Sequence, residues 1–163
     1  MNETKKIKLL ILTPTLECGG SEKFVSLVCE HINTGIFSVC LVVVNNVNPF
    51  FKIDNPAIEI INLGKNRVLF SLSAIKKVVT HFKPDIIFSM ANHLNLYLAI
   101  FKNQFNSKIK FVAREASIVS INSKQAKMPV LYNRLIKKYY NRFDIIICQS
   151  AYMKHDLVTH YGI

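Results

Sequence analysis

Short apolar runs alternate along this chain with segments whose apolar residues recur every three or four positions. That alternation limits the fold more than any other feature. Ile7–Thr13 is an apolar run stopped by Pro14, which suits a strand buried on both faces. From Ser21 the apolar residues Phe24, Leu27, Val28 and Ile32 fall at helical spacing, and Gly35 follows as a stop. Val39–Val44 is a second apolar run, "NNVNPFFKIDNP" a loop, and Ile58–Asn62 a third, shorter strand. Leu69–Phe82 reads as a helix with Lys76 and Lys77 outward, ended by Lys83-Pro84-Asp85. Ile86–Phe88 is a fourth strand, Leu94–Phe101 a helix and Ile109–Ala113 a fifth strand. Ser117–Met128 is polar and irregular, followed by a helix at Val130–Tyr140, a sixth strand at Ile145–Cys148 and a last helix at Ala151–His160. Strands joined by helical crossovers, with little polar alternation inside them, predict an α/β fold: a doubly wound parallel sheet, Rossmann-like, with Ile7–Thr13 at its centre.

Size and composition fit one domain. The chain has 163 residues, half of them apolar, enough to build a core. Its longest apolar runs fall far short of the roughly 20 residues a membrane helix needs. The start "MNETKKIK" is polar and lacks the pattern of a leader, so a cytoplasmic location is expected. Cys18, Cys29, Cys40 and Cys148 match neither a zinc pattern nor CxxC. The last three lie in apolar segments and read as buried thiols; Cys18 reads as exposed. The five histidines show no metal spacing, and no metal is expected. Twenty-one Lys and Arg against ten Asp and Glu give a net charge of +11, which favours an anionic partner: phosphates, nucleic acid or an anionic membrane surface. No nucleic-acid signature accompanies the charge, and nucleic acid is not expected as a partner.

Between the first strand and the first helix stands "TPTLECGGSEKF". In open α/β sheets ligands bind outside the carboxyl ends of strands, beside helix N-termini. Gly19 and Gly20 let the backbone approach a ligand, and a helix start offers free N–H groups to a phosphate. The loop is neither GxGxxG nor GxxxxGK[ST], so it is not one of the common nucleotide fingerprints. Two glycines before a helix also fit a plain tight turn.

"GGSEKFVSLVCEHI" resembles the "GGAER" segment of glycosyltransferase family four, the retaining GT-B enzymes. The resemblance continues through "IEIINLG" and "FKPDIIFS", similar to a "RPDVVHSH" strand, then "NHLNLYLAIF" and "IKFVAREASIVS", similar to a "VVxREH" strand and acceptor loop. It closes on "YYNRFDIIICQSAYMKHDLVTHYGI", similar to "ADxVVAVSxxxxxDLxxxGI". These segments stand in the family's order across residues 7–163. The resemblance implies one half of a GT-B fold: residues 1–163 as a single acceptor-side N-terminal domain. The C-terminal domain with the nucleotide-sugar site and an E-x7-E motif is expected to be absent from this chain. It implies a glycosyltransferase with a nucleotide sugar as donor substrate, no separate cofactor, and a glycan or lipid-linked acceptor for a cell-surface polymer. The runner-up is a non-enzymatic basic Rossmann-like module that binds a phosphorylated ligand or nucleic acid.

The resemblance also gives the candidate residues. Gly19 and Gly20 are expected to face the donor diphosphate. Glu115 is the candidate catalytic residue, contacting donor sugar or acceptor hydroxyl. The family often carries a His near this place; here "ARE" stands instead, and Arg114 and Glu115 also fit a simple ion pair at a strand end. Retaining transfer by front-face attack, assisted by the leaving phosphate, needs charge stabilisation and positioning more than a protein nucleophile. Asn92, His93, Arg114 and Ser117 are expected to bind the acceptor. His93 reads equally as a solvated loop residue, Asn95 as a helix-start residue, and Ser150 as a helix N-cap.

From Lys124 to Arg142 there are six basic residues and no acid. Arg134, Lys138 and Arg142 recur at i, i+4, i+8, with Lys137 beside them and Tyr132, Tyr139 and Tyr140 interleaved. A helix of this kind fits either a solvated face or a peripheral contact with the cytoplasmic leaflet, through Arg134, Lys137, Lys138 and Arg142.

Overall fold

The computed structural model describes residues 5–163. Residues 1–4, part of the polar start read above as no leader, lie outside the described residues. Six strands form one parallel sheet in the order β3-β2-β1-β4-β5-β6, flanked by helices. β1 spans Ile7–Thr13, β2 Phe37–Val43, β3 Ile58–Asn62, β4 Ile86–Met90, β5 Lys110–Glu115 and β6 Ile145–Cys148. The first strand is central, as the long buried run required. By contact density the chain divides into two compact units, Met1–Phe88 and Ser89–Ile163.

In the first unit β1 and β2 pair in parallel from Ile7↔Phe37 to Thr13↔Val43, and β2 pairs with β3 from Val39↔Ile58 to Val43↔Asn62. Leu10, Ile11 and Leu12 are fully buried, as are Cys40 to Val43. Helix α1 (Gly20–His31) buries Val25 and Cys29. Helix α2 (Leu72–Phe82) buries Ile75 and Val79. The edge strand β3 exposes most of its residues, as an edge must. The predicted helix from Leu69 is shorter than expected. Residues Val68–Phe70 form a 3-10 turn, and the Ser71 hydroxyl donates back to the Val68 carbonyl at 2.6 Å. That bond competes with helix geometry and leaves Leu69 and Phe70 exposed. Helix α2 ends on Lys83 in the left-handed region, φ 53° and ψ 62°.

In the second unit β5 pairs with β6 from Val112↔Ile145 to Glu115↔Cys148. Helix α3 spans Asn92–Phe101, α4 Val119–Ser123, α5 Pro129–Tyr139 and α6 Ala151–Tyr161. Its core holds Met90, Leu94, Leu98, Phe111, Ala113, Ile136 and Tyr140. Helix α4 lies inside the stretch expected to be irregular. The Ser150 hydroxyl accepts the Met153 N–H at 3.2 Å, so Ser150 is the N-cap of α6. Asp144 ties the turn before β6 to β5: it accepts from the Phe111 N–H at 2.9 Å, Lys102 Nζ at 2.7 Å and Lys110 Nζ at 3.0 Å. Cys29 and Cys40 are buried, and burial, aided by Glu30 and Glu59 respectively, pushes each thiol up to about 12. Cys18 is exposed. Cys148, expected to be buried, is only half-buried because β6 is an edge strand. Among the described residues no helix is long and apolar enough to cross a membrane.

Candidate functional site

In the first unit the loop after β1 turns on a local set of polar contacts. The Thr13 hydroxyl donates to the Thr15 carbonyl at 3.1 Å, and the Thr15 hydroxyl reaches Glu22 Oε1 at 3.5 Å. Glu22 sits in the first turn of α1, where the helix dipole favours a carboxylate. This separates the two glycines. A Cβ on Gly19 would lie 2.3 Å from Glu22 Oε2, so the space its missing side chain leaves is taken by a carboxylate of this chain. A Cβ on Gly20 would meet nothing within 4 Å. Of the two glycines expected to face a phosphate, Gly20 opens onto free space and Gly19 has the Glu22 carboxylate beside it.

In the second unit the ends of β4 and β5 carry a buried polar network. The Ser89 hydroxyl donates to Asn95 Oδ1 at 2.7 Å. Asn95 Nδ2 donates to Glu115 Oε1 at 2.8 Å and to the Arg114 carbonyl at 3.1 Å. The Tyr140 hydroxyl lies 3.0 Å from Glu115 Oε1 and 3.2 Å from the Asn92 carbonyl, donating toward both. Ser117 Oγ donates to Asn92 Oδ1 at 3.3 Å. Tyr140 therefore links Glu115 to Asn92, and Asn92 links on to Ser117.

The same geometry refines two expectations. β5 runs past Ala113 and ends on Arg114 and Glu115, the strand-end pair expected, which stand opposite Ile147 and Cys148. Glu115 is 0% exposed and Arg114 9%; burial pulls the Arg114 guanidinium below its usual range. Asn95 and Tyr140 both engage Glu115 Oε1 and leave Oε2 without a partner. Helix α3 starts at Asn92, so Asn92 and His93 occupy its first turn rather than a loop; Asn92 is buried and His93 exposed.

Burial governs the chemistry of Glu115. It raises the carboxyl from 4.5 to about 7, against the opposing hydrogen bonds from Asn95 and Tyr140. Tyr140, buried and next to that carboxyl, is held well above its usual range. Glu115 Oε2 and Asn92 Nδ2 are buried without a hydrogen-bond partner. Buried polar atoms are nearly always satisfied, so this network is incomplete where a ligand hydroxyl or a water would complete it. A carboxyl near neutrality can hold or release a proton at working pH.

Asn95, Ser89 and Tyr140 were missed by sequence reasoning as parts of a site. The signal was present but slight: single polar residues within the apolar runs "IIFSM" and "HLNLYLAIF", each of which must find a partner once buried.

The basic segment is also revised. Arg142 is not on the outer face of α5. It lies in a following 3-10 turn, and its Nη1 donates to the carbonyls of Ala99 and Ile100 at 3.3 and 3.0 Å, satisfying the last turn of α3. Tyr140 is fully buried, and Tyr132 and Tyr139 are half-buried. Arg134, Lys137 and Lys138 do face outward, and beside them Met128, Val130 and Leu131 are 64%, 66% and 44% exposed. Among the described residues no three of His, Cys, Asp and Glu come together in a way that could hold a metal ion.

Comparison with known proteins places this geometry in a lineage. Residues 19–163 match the family model described as Glycosyltransferase Family 4. Sucrose-phosphate synthase from Thermosynechococcus elongatus superposes with a TM-score of 0.70 at 12% identity, over 93% of this chain and 44% of that one. The chain thus spans less than half the length of that synthase, and the likeness is one of fold. No curated protein matches. The family match runs from Gly19 through every element that carries the buried network, and the chain belongs to glycosyltransferase family 4.

Proposed function

We propose that this chain is the acceptor-side domain of a retaining glycosyltransferase, which moves a sugar from a nucleotide-sugar donor to a lipid-linked glycan precursor. The observation that carries the reading is the family match over residues 19–163. In this reading Gly20 gives the donor diphosphate its approach, since its position opens onto free space. Asn92 and Ser117 hold an acceptor hydroxyl, with His93 and Arg114 beside them. Glu115 works from beneath: its carboxyl fixes Tyr140, whose hydroxyl reaches the Asn92 carbonyl, and its near-neutral pKa lets the network give or take a proton as the acceptor oxygen reacts. The donor needs no cofactor, and the leaving phosphate assists the front-face attack.

The acceptor is assigned to a membrane because α5 presents basic and apolar residues side by side. Arg134 and Lys138 attract anionic headgroups, each contributing about 1 kcal/mol near the surface. Met128, Val130 and Leu131 supply apolar contact. The protein then acts on the cytoplasmic leaflet.

The test supplies full-length protein with labelled nucleotide sugars and a membrane extract. Label should enter the solvent-extractable lipid fraction with the donor's anomeric configuration kept. An inverted product removes the retaining mechanism, and label confined to water-soluble product removes the lipid-linked acceptor. Vesicle co-sedimentation tests the face: an Arg134→Gln, Lys138→Gln double variant should bind anionic vesicles more weakly than the parent at low salt.

A further inference from the structure

A concavity lies among α4, α5 and α6, all within the second unit. It is about 280 Å³ and is lined by Ser123, Lys124, Asn133, Lys137, His160 and Tyr161 among others. Its lining is polar and basic, with no carboxylate on it. From Ala116 to Ile163 the only acids are Asp144 and Asp156. Asp144 is engaged with Lys102 and Lys110. Asp156 is buried and occupied: it accepts from the Ser120 N–H at 3.0 Å and from the Ser120 hydroxyl, and His160 Nδ1 lies 3.3 Å from its Oδ1. Those bonds pin α4 to α6 and engage the carboxylate with Ser120 and His160, which themselves line the cavity, so Asp156 stands behind the wall and not on it.

The donors that remain are arranged for an anion. Lys124 and Lys137 reach the cavity from α4's end and from α5, and neither has an ion pair among the described residues. The Tyr161 hydroxyl donates to Asn133 Oδ1 at 2.7 Å. That bond fixes the amide, so Asn133 offers its Nδ2 donors to anything else it meets. Two ammonium groups and a fixed amide around a small cavity suit a tetrahedral oxyanion; lysine binds phosphate as a point charge. The volume is below the roughly 300–1,000 Å³ of sites for drug-sized molecules. It takes a phosphate group with a small substituent, not a whole nucleotide sugar.

We propose that this cavity binds the phosphate group of a phosphorylated ligand, either a lipid headgroup or a free phosphate ester, as a site separate from the Glu115 network. The proposal shares Lys137 with the outward face of α5 but separates from the membrane reading at Asn133, which lines the cavity, and at Arg134 and Lys138, which do not.

The experiment uses the intact protein and Asn133→Asp. The substitution keeps an oxygen for Tyr161 and puts a negative charge beside the ligand. Inorganic phosphate is titrated while the amide resonances of Ser123, Asn133 and Tyr161 are followed by NMR. These three should shift saturably together, and Asn133→Asp should weaken phosphate binding at least about tenfold, the scale of one opposing charge at close range. Lys124→Gln, a change at an exposed side chain, should weaken it less but clearly. A parallel arm measures binding to phosphatidate vesicles. Phosphatidate binding lost in Asn133→Asp supports a headgroup ligand; free-phosphate binding lost in Asn133→Asp with vesicle binding unchanged supports a soluble ester. Phosphate and phosphatidate binding both unaffected by Asn133→Asp and Lys124→Gln overturns the site. Loss of vesicle binding in the Arg134→Gln, Lys138→Gln variant, with phosphate titration intact, bears on the outer face alone.

Discussion

Replacing Glu115 by Gln should change how stability depends on pH, and the direction follows from burial. In the folded chain the Glu115 carboxyl titrates at about 7, against 4.5 for an ordinary glutamate. Below pH 4 the group is protonated in both states and contributes no pH dependence. Between about 4.5 and 7 the unfolded chain releases the proton while the folded chain keeps it, so stability falls as pH rises. At about 1.4 kcal/mol per unit, the rise from 4.5 to about 7 amounts to about 3 kcal/mol, complete by roughly pH 8. Gln has no such titration. Its carbonyl can accept from Asn95 and Tyr140, and its amide takes the place of the unpartnered Oε2. Urea unfolding followed by circular dichroism at pH 5, 6, 7 and 8 should show Glu115→Gln gaining on the parent by about 2.5 kcal/mol across the series, the remainder falling below pH 5. In melting temperature that is on the order of 5–10 °C for a chain of this size. A parent–variant difference constant from pH 5 to pH 8 would refute the reasoning, because it would mean that the carboxyl is as well solvated in the folded state as in the unfolded one.

Other outcomes follow from single contacts. Gly20→Val should leave the melting temperature nearly unchanged, since a Cβ there meets nothing and its φ is not positive; in the full-length enzyme it should lower transfer by about two orders of magnitude, the scale of one lost transition-state contact, and unchanged turnover would remove Gly20 from the donor site. Lys83→Gly should raise stability by about 1 kcal/mol in chemical unfolding, because Lys83 holds φ 53° at the end of α2, where a side chain is strained. Asp144→Asn should cost about 1–3 kcal/mol at pH 7. Partial burial opposes ionisation of Asp144, but bonds from Lys102, Phe111 and Lys110 overcome it and hold the carboxyl well below its usual range. The parent's advantage is present above pH 4 and should shrink as pH falls further, and an advantage that persists at pH 2 would contradict this account.

Legibility in the sequence tracked how many residues each signal was spread over. The central strand was plain because Leu9 to Thr13 are all buried, and only a strand covered on both faces needs five apolar or uncharged residues in a row. Strand ends were less plain. The apolar run of β5 stops at Ala113, and Arg114 and Glu115 read only as a pair at the strand end. The strand continues through Arg114 and Glu115, since ladder pairing to Ile147 and Cys148 and hydrogen bonds from Asn95 and Tyr140 make their burial tolerable. No local pattern encodes that compensation; it depends on residues 20 and 25 positions away in the chain. Arg142 failed for the same reason. Its i+8 spacing to Arg134 assumed a helix that in fact ends at Tyr139, and the carbonyls it caps belong to α3.

The two glycines show how a motif that is one unit in sequence becomes two functions in space. "GG" before a helix reads as a single opening for a ligand. In the folded chain the Glu22 carboxylate lies against Gly19, while Gly20 has open space beside it. Glu22 then places a carboxylate at the very helix start expected to draw a phosphate. An anion approaching Gly20 meets a favourable helix end and an unfavourable neighbour together, and the Thr15 hydroxyl is the group that holds that neighbour in place. If the donor phosphate approaches Gly20 as proposed, its affinity should depend on where Glu22 is held as well as on the space at Gly20. The pair separates by mutation: a Thr15→Val change, which releases Glu22, should alter donor KM, whereas Gly20→Val acts on turnover through lost approach. If Thr15→Val leaves donor KM unchanged in the full-length enzyme, Glu22 is a helix-end residue only and the phosphate does not come near it.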